Sequence, residues 1–195
     1  SGISNKPNME HIRLGLKENR KQFWLLVFIN ALVGGMIGLE RTLLPDIAAQ
    51  EFHLTSASVI LSFIIVFGLF KAITNYFTGI LASRFGRKRL LLSGWLIGLP
   101  IPFILMYGNS WNWIIFANIL LGINQGLTWS STVTMKIDLV GGKERGFAMG
   151  LNEFAGYGAV ALVAWATSNI AANYGLRPYP FMIGIVIVIS GTLLS

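Results

Sequence analysis

A chain of 195 residues that is 54% hydrophobic and 12% charged, with a mean hydropathy of +0.64, is too apolar for an ordinary water-soluble domain. Its net charge of +7 does not point to nucleic acid, because the basic residues fall in short loops between apolar segments rather than on a face interleaved with exposed aromatics. The absence of cysteine excludes disulfides and thiolate chemistry. The chain reads as an all-α polytopic membrane protein.

Residues 1–22 are polar and basic, holding Lys6, Arg13, Lys17, Arg20 and Lys21. No cleavable leader is visible, so the first span itself directs insertion. The opening Ser1-Gly2 reads as the scar of a removed tag. From Met9 onward the segment reads either as a short interfacial helix, with Ile12, Leu14 and Leu16 on the membrane, or as a solvated tail.

The first span, 23–44, carries Asn30, Gly34, Gly38 and Arg41 on one helical stripe, which should face protein or water rather than lipid. Gly34 and Gly38 form a small-x-x-x-small pair suited to close helix approach. Pro45 is expected to end this span, leaving 46–55 as a loop with Glu51 and His53. The second span, 56–82, bears Lys71, Thr74, Asn75 and Thr78 on one side. Lys71 lies roughly 12 residues, or ~18 Å, from the inner boundary, deeper than its side chain reaches with ease.

The third span, 90–107, contains Pro100 and Pro102 and should bend there. The fourth, 111–134, places Asn118, Gly122, Gln125, Trp129 and Thr132 on one face. A loop with Lys136, Asp138, Lys143, Glu144 and Arg145 is expected next, followed by a fifth span, 146–170, with Asn152 and Glu153, and a sixth, 178–195.

Of the 15 lysines and arginines, twelve fall on one side in this scheme and two, Arg41 and Arg177, on the other, with Lys71 inside the membrane. That asymmetry sets the N-terminus in the cytoplasm. The spacing from Phe23 to Arg84 is 61 residues and from Trp111 to Asn173 is 62, with Arg84-Phe85-Gly86-Arg87 echoed by Asn173-Tyr174-Gly175-Leu176-Arg177. Two three-helix units of odd length lie in opposite orientations, which makes an inverted repeat.

The turn between spans two and three, Gly79-Ile80-Leu81-Ala82-Ser83-Arg84-Phe85-Gly86-Arg87-Lys88-Arg89, resembles the signature loop of the major facilitator superfamily, Gly-x-x-x-Asp-Arg-x-Gly-Arg-Arg or -Lys. Gly79, Arg84, Gly86, Arg87 and Lys88 match, and Ser83 stands where the family has Asp. An aspartate there would interact with the neighbouring arginines and a helix N-terminus, so serine predicts weaker coupling of this loop to the conformational switch.

The resemblance implies that residues 23–195 form the N-terminal six-helix half of a bacterial inner-membrane secondary transporter. It implies alternating access around a small-molecule site near the bilayer midplane, lined by spans one, two, four and five. The partner is then a C-terminal six-helix half, on the same gene product or a second chain, or else a second copy of this chain. No cofactor is implied beyond coupling to a proton or ion gradient.

The cavity candidates are Asn30, Arg41, Lys71, Asn75, Asn124, Gln125 and Trp129. Amides offer donors and acceptors to a polar solute, Trp129 a stacking surface, and Lys71 with Arg41 an attraction for anions. Lys71 reads equally as a partner for the missing half. Glu153 reads as the carboxylate well inside a span, roughly 9 to 11 Å from its inner end. It either exchanges a proton or neutralises the basic loops and locks an outward-open state.

The family's Arg-x-x-Gln-Gly pattern appears here as Gly122-Ile123-Asn124-Gln125-Gly126, and span five lacks its Gly-Pro pair, so proton–drug antiport is less supported than transport in general. No nucleophile with a base and no ligand cluster suggests an enzyme: His11 and His53 fall outside the membrane on opposite sides. A channel, or a non-transporting scaffold or receptor, would keep the helices without alternating access.

Overall fold

The computed structural model describes residues 13–195, which form helices joined by short connections. In chain order these are α1 (Arg20–Arg41), α2 (Leu44–Gln50), α3 (Ala57–Ile60), α4 (Ser62–Phe85), α5 (Arg87–Gly98), α6 (Pro100–Tyr107), α7 (Trp111–Val140), α8 (Arg145–Tyr174), a 3-10 turn (Tyr179–Phe181) and α9 (Met182–Leu194). Among the described residues four stretches are long and apolar enough to cross a membrane: Arg20–Gln50, Ala57–Phe85, Arg87–Tyr107 and Arg145–Tyr174. With 30 residues α7 is long enough too, at roughly 45 Å, but it is diluted by buried Asn118, Asn124, Gln125, Thr128, Ser131 and Thr132. The apolar stretch Tyr179–Leu194 is shorter.

Local chemistry sets the breaks. Between α4 and α5 a single residue, Gly86, reverses the chain at φ +81°, a conformation that side chains resist, and Arg87 already begins the next helix. The helical bonding is interrupted at the prolines: α5 stops at Gly98, and α6 starts at Pro100, which has no N–H to continue the ladder. Pro45, in contrast, does not end a helix. The first helix stops at Arg41, and Pro45 sits in the first turn of α2, where its missing N–H would have had no partner.

Two other boundaries are corrected. The fourth span does not stop at 134, because nothing before Gly141 interrupts helical backbone, so Lys136 and Asp138 belong to α7 and not to a loop. Lys136 is fully buried, which removes it from the count of loop cations. Residues 13–19 form a turn instead of an interfacial helix, since their backbone is held by other elements. The N–H of Gly15 donates to the Leu139 carbonyl and that of Leu16 to the Glu144 carboxylate. Leu16 then packs beside Phe23, Val27 and Val140. Ile12 and His11 lie outside the described residues.

The helices pack mainly as α1 on α8 and α4 on α7, with α5 also against α7. Glycines permit both main crossings. A Cβ on Gly34 would collide with the Gly156 carbonyl, and one on Gly38 would lie 2.5 Å from the Val160 carbonyl. On the other side, a Cβ on Gly122 would lie 2.7 Å from the Phe67 carbonyl. At the end opposite the Gly86 turn, Arg177 pairs with Glu51, donates to the Gly108 carbonyl at 2.7 Å and covers the Phe52 ring. The outward faces of α4 and α8 expose Ile65, Tyr76, Phe154 and Trp165.

Substituting Gly34 by Ala should lower the stability of the full-length protein by about 1–3 kcal/mol, the usual range for overpacking. Gly68, which faces open space, should tolerate Ala and gain up to about 1 kcal/mol in helix propensity. Thermal unfolding in detergent checks this; equal shifts in the two variants would count against a backbone-limited crossing.

Candidate functional site

The chemistry-bearing side chains converge where α4, α7 and α8 face one another beside α1. Glu153 of α8 accepts a hydrogen bond from the Trp129 indole Nε1 at 3.0 Å and from Asn152 Nδ2 at 3.2 Å. Lys71 of α4 sets its Nζ 4.7 Å from the centre of the Trp129 ring and 5.9 Å from that of Phe67. Arg41 of α1 places its guanidinium 5.9 Å from the same Phe67 ring, so two cations share one aromatic neighbour. Tyr157, one turn beyond Glu153, lies 5.3 Å from Trp129. Glu153 is exposed, whereas Trp129 is 7% exposed, so the carboxylate is presented outward from a packed aromatic support.

Behind this row lies a layer of buried amides. Asn30 is completely buried, donates Nδ2 to the Asn152 carbonyl at 2.7 Å and accepts from the Thr132 hydroxyl at 3.0 Å. It therefore ties α1, α7 and α8 together just beneath Glu153. Lys136, two helical turns past Trp129, is also buried and donates to the Leu26 carbonyl at 3.3 Å. Glu153 is the opposite charge acting on both Lys71 and Lys136.

Other candidates lie apart from this row. Asn124 is turned towards α5, where Nδ2 donates to the Gly94 carbonyl at 2.7 Å, and it is fully buried. Gln125 donates to the Val33 carbonyl at 2.8 Å and to Asn124 Oδ1 at 3.0 Å. In this conformation both amides donate to backbone carbonyls of neighbouring helices, and Gln125 Oε1 is buried without a partner. Asn75 is exposed on the α4–α7 side and accepts from Ser130 at 2.7 Å, in a cleft of about 320 Å³ shared with Thr78, Thr134 and Arg87.

Two charged residues escaped the sequence reading. Lys136 is expected in a loop; the available signal against that is that no glycine or proline lies between Gly126 and Gly141. The sequence singles out Glu153, and not Glu40, as the carboxylate well inside a span. Glu40 is in fact buried, 3% exposed, on the α1 row of Val33 and Met36. A charge on an otherwise apolar helical row was the signal.

At the Gly86 turn, Arg87 pairs with Asp138 of α7. Ser83 donates its hydroxyl to the Ile80 carbonyl of its own helix at 2.7 Å and makes no contact with the arginines through it. Arg84 and Lys88 are exposed, and Gly79 faces open space. The carboxylate that position 83 lacks is thus provided from α7. Both partners of the ion pair are close to half exposed, so solvent screens it. A double-mutant cycle with Arg87→Gln and Asp138→Asn, read by thermal unfolding, should give a coupling below about 1 kcal/mol. A much larger coupling would show that the pair is desolvated in the full-length protein.

Comparison with known proteins bears on this geometry. The family profile described as Major Facilitator Superfamily matches residues 23–195. The chain is 28% identical over 195 residues to the proton-coupled antiporter flippase LtaA of Staphylococcus haemolyticus, an alignment that covers 99% of this chain and 44% of that protein. It is 31% identical over 190 residues to the multidrug resistance protein MdtG of Escherichia fergusonii, covering 94% of this chain and 45% of the relative. The MdtG of Salmonella paratyphi C is 31% identical over 185 residues, with 91% and 44% covered. The chain therefore spans a little under half the length of the curated relatives it matches. With its family profile covering nearly the whole chain, this integral membrane protein belongs to the Major Facilitator Superfamily.

Proposed function

We propose that this chain is the N-terminal half of a secondary transporter that moves a small anionic solute by alternating access. The observation that carries this reading is the arrangement of Lys71, Trp129 and Glu153 where α4, α7 and α8 meet beside α1. Arg41 shares the Phe67 ring with Lys71, so two cations stand on this side of the site. An excess of positive charge in a poorly hydrated site favours an anion.

In this reading the chain crosses the membrane six times, with α5–α6, the long α7 and α9 completing two inverted three-helix units. The N-terminus lies in the cytoplasm of a bacterial cell, on the side of the Gly86 turn. The exposed apolar faces of α4 and α8 meet a second six-helix half, since relatives of this family are about twice as long. The proton coupling named for the staphylococcal relative supports drive by an ion gradient. No covalent step is required.

The test is exchange in vesicles containing the full-length protein, with radiolabelled organic anions compared against lipophilic cations. Saturable exchange of an anion is expected, and Lys71→Ala should reduce it by about tenfold or more, as loss of a hydrogen bond to a charged group does. Exchange of cations with no effect of Lys71→Ala would replace the anion reading. Conductance far above carrier turnover would point to a channel.

A further inference from the structure

Trp129 holds opposite charges apart. An aromatic ring is negative over its face and positive at its rim, so a cation is drawn to the face and a carboxylate to the N–H at the edge. Both positions are filled here: Lys71 Nζ stands 4.7 Å from the ring centre, and Glu153 Oε1 accepts from Nε1 at 3.0 Å. Among the described residues the ion pairs are Arg87 with Asp138 and Arg177 with Glu51, so Arg41, Lys71 and Glu153 belong to none. Ionisable groups inside a membrane normally pair with one another. Unpaired groups of both signs around one indole leave a place for a ligand that carries both.

The two sides of this place differ in chemistry. On one, Arg41 and Lys71 each stand 5.9 Å from the centre of the Phe67 ring and offer N–H donors to an acid group. On the other, the bonds that Glu153 accepts from Trp129 and Asn152 both end on Oε1, which leaves Oε2 for a further donor. Tyr157 follows one turn along α8 on the same face and is 59% exposed, so an aromatic ring stands beside the exposed carboxylate. A carboxylate next to an aromatic face is a combination that recognises an ammonium group. Phe67 and Trp129 are themselves buried, so the charges rest on a packed floor that holds their spacing before a ligand arrives.

We propose that the solute is an anion that also carries an ammonium group, its acid group lying on Lys71 and Arg41 and its ammonium on Glu153 Oε2 and the Tyr157 ring. This names the substrate class of the site described above and rests on reading that site as the one used in transport. Two cations against one carboxylate ask for more acid than base, as in one ammonium with two carboxylates or with one phosphate. On binding, Lys71 exchanges the Trp129 face for the acid group, and the solute's ammonium pairs with Glu153 without disturbing the indole N–H bond. An anion lacking the ammonium leaves Glu153 unpaired beside its own charge, which penalises it.

Binding to the full-length protein in lipid nanodiscs, read by the shift of thermal unfolding across a range of ligand concentrations, tests this apart from transport. The probes are matched pairs: glutamate against glutarate, and phosphoethanolamine against ethyl phosphate. In at least one pair the ammonium-bearing member is expected to bind about tenfold tighter or more, the effect of a hydrogen bond between charged groups. A site that reads net charge alone would favour the other member, which is the more negative. Glu153→Gln keeps an oxygen for the Trp129 N–H and should abolish the preference without weakening the ammonium-free member. Lys71→Ala should weaken both members, and Tyr157→Leu should cut the preference about threefold. Equal binding within both pairs, a preference that survives Glu153→Gln, or binding of no probe overturns the proposal. Equal binding that still falls in Lys71→Ala would leave the anion reading standing, with Glu153 reserved for a basic side chain of the second six-helix half. A preference that depends on Glu153, in a protein that exchanges neither solute across vesicles, would keep the ammonium subsite and retire the carrier reading.

Discussion

The close crossing of α1 and α8 is the constraint from which the site follows. Lipid offers the backbone no hydrogen bonds, so helix faces associate through packing and whatever polar contacts they can reach. Gly34 sits against the Gly156 backbone, and the other side of Gly156 is covered by the Trp129 ring, which a Cβ there would strike. A single small residue on α8 therefore admits α1 from one direction and α7's indole from the other. Because Glu153 lies one turn before Gly156, the indole N–H arrives within hydrogen-bonding distance of the carboxylate. Enlarging either glycine would separate the aromatic support from the charge it holds.

Polar residues serve two separate purposes in this bundle. Asn30, Asn124, Gln125 and Thr78 donate to backbone carbonyls of other helices, at Asn152, Gly94, Val33 and Gly126 respectively. Such bonds are worth roughly 0.6 kcal/mol each in a membrane interior, yet they set the rotation of each helix about its axis, because a buried amide left unmet would be costly. Lys71, Trp129 and Glu153 instead present charge and an aromatic face towards the side of the bundle where α4 and α8 remain uncovered. Rigid amides behind and adaptable charges in front is an arrangement suited to a site that must hold its shape while its charge pairing changes.

The two ends of the bundle are tied differently. At one end Arg177 draws together the α2–α3 connection, the end of α6 and the α8–α9 connection through Glu51, Phe52 and Gly108. At the other, the Gly15–Leu16 backbone is bonded to Leu139 and Glu144, and Arg87 meets Asp138. The first is a partly buried cluster and the second a set of solvent-screened or backbone contacts. The end with the Gly86 turn is thus the more readily rearranged of the two.

Membrane residence, the helix break before Pro100, the turn at Gly86 and the small-residue stripe of α1 were legible in the residues alone, because each follows from hydropathy, a missing N–H or the absence of a side chain, all properties of the local chain. The family resemblance was carried by a turn of eleven residues for the same reason. What only the tertiary structure decided was the rotation of each helix against a partner distant in sequence. That rotation commits Asn124 and Gln125 to neighbouring carbonyls, draws Lys136 into the bundle and buries Glu40. A helical stripe tells which residues share a face, but the helix that covers the face, and hence whether its polar groups meet a backbone, a charge or open space, depends on crossings such as that of Gly34 with Gly156.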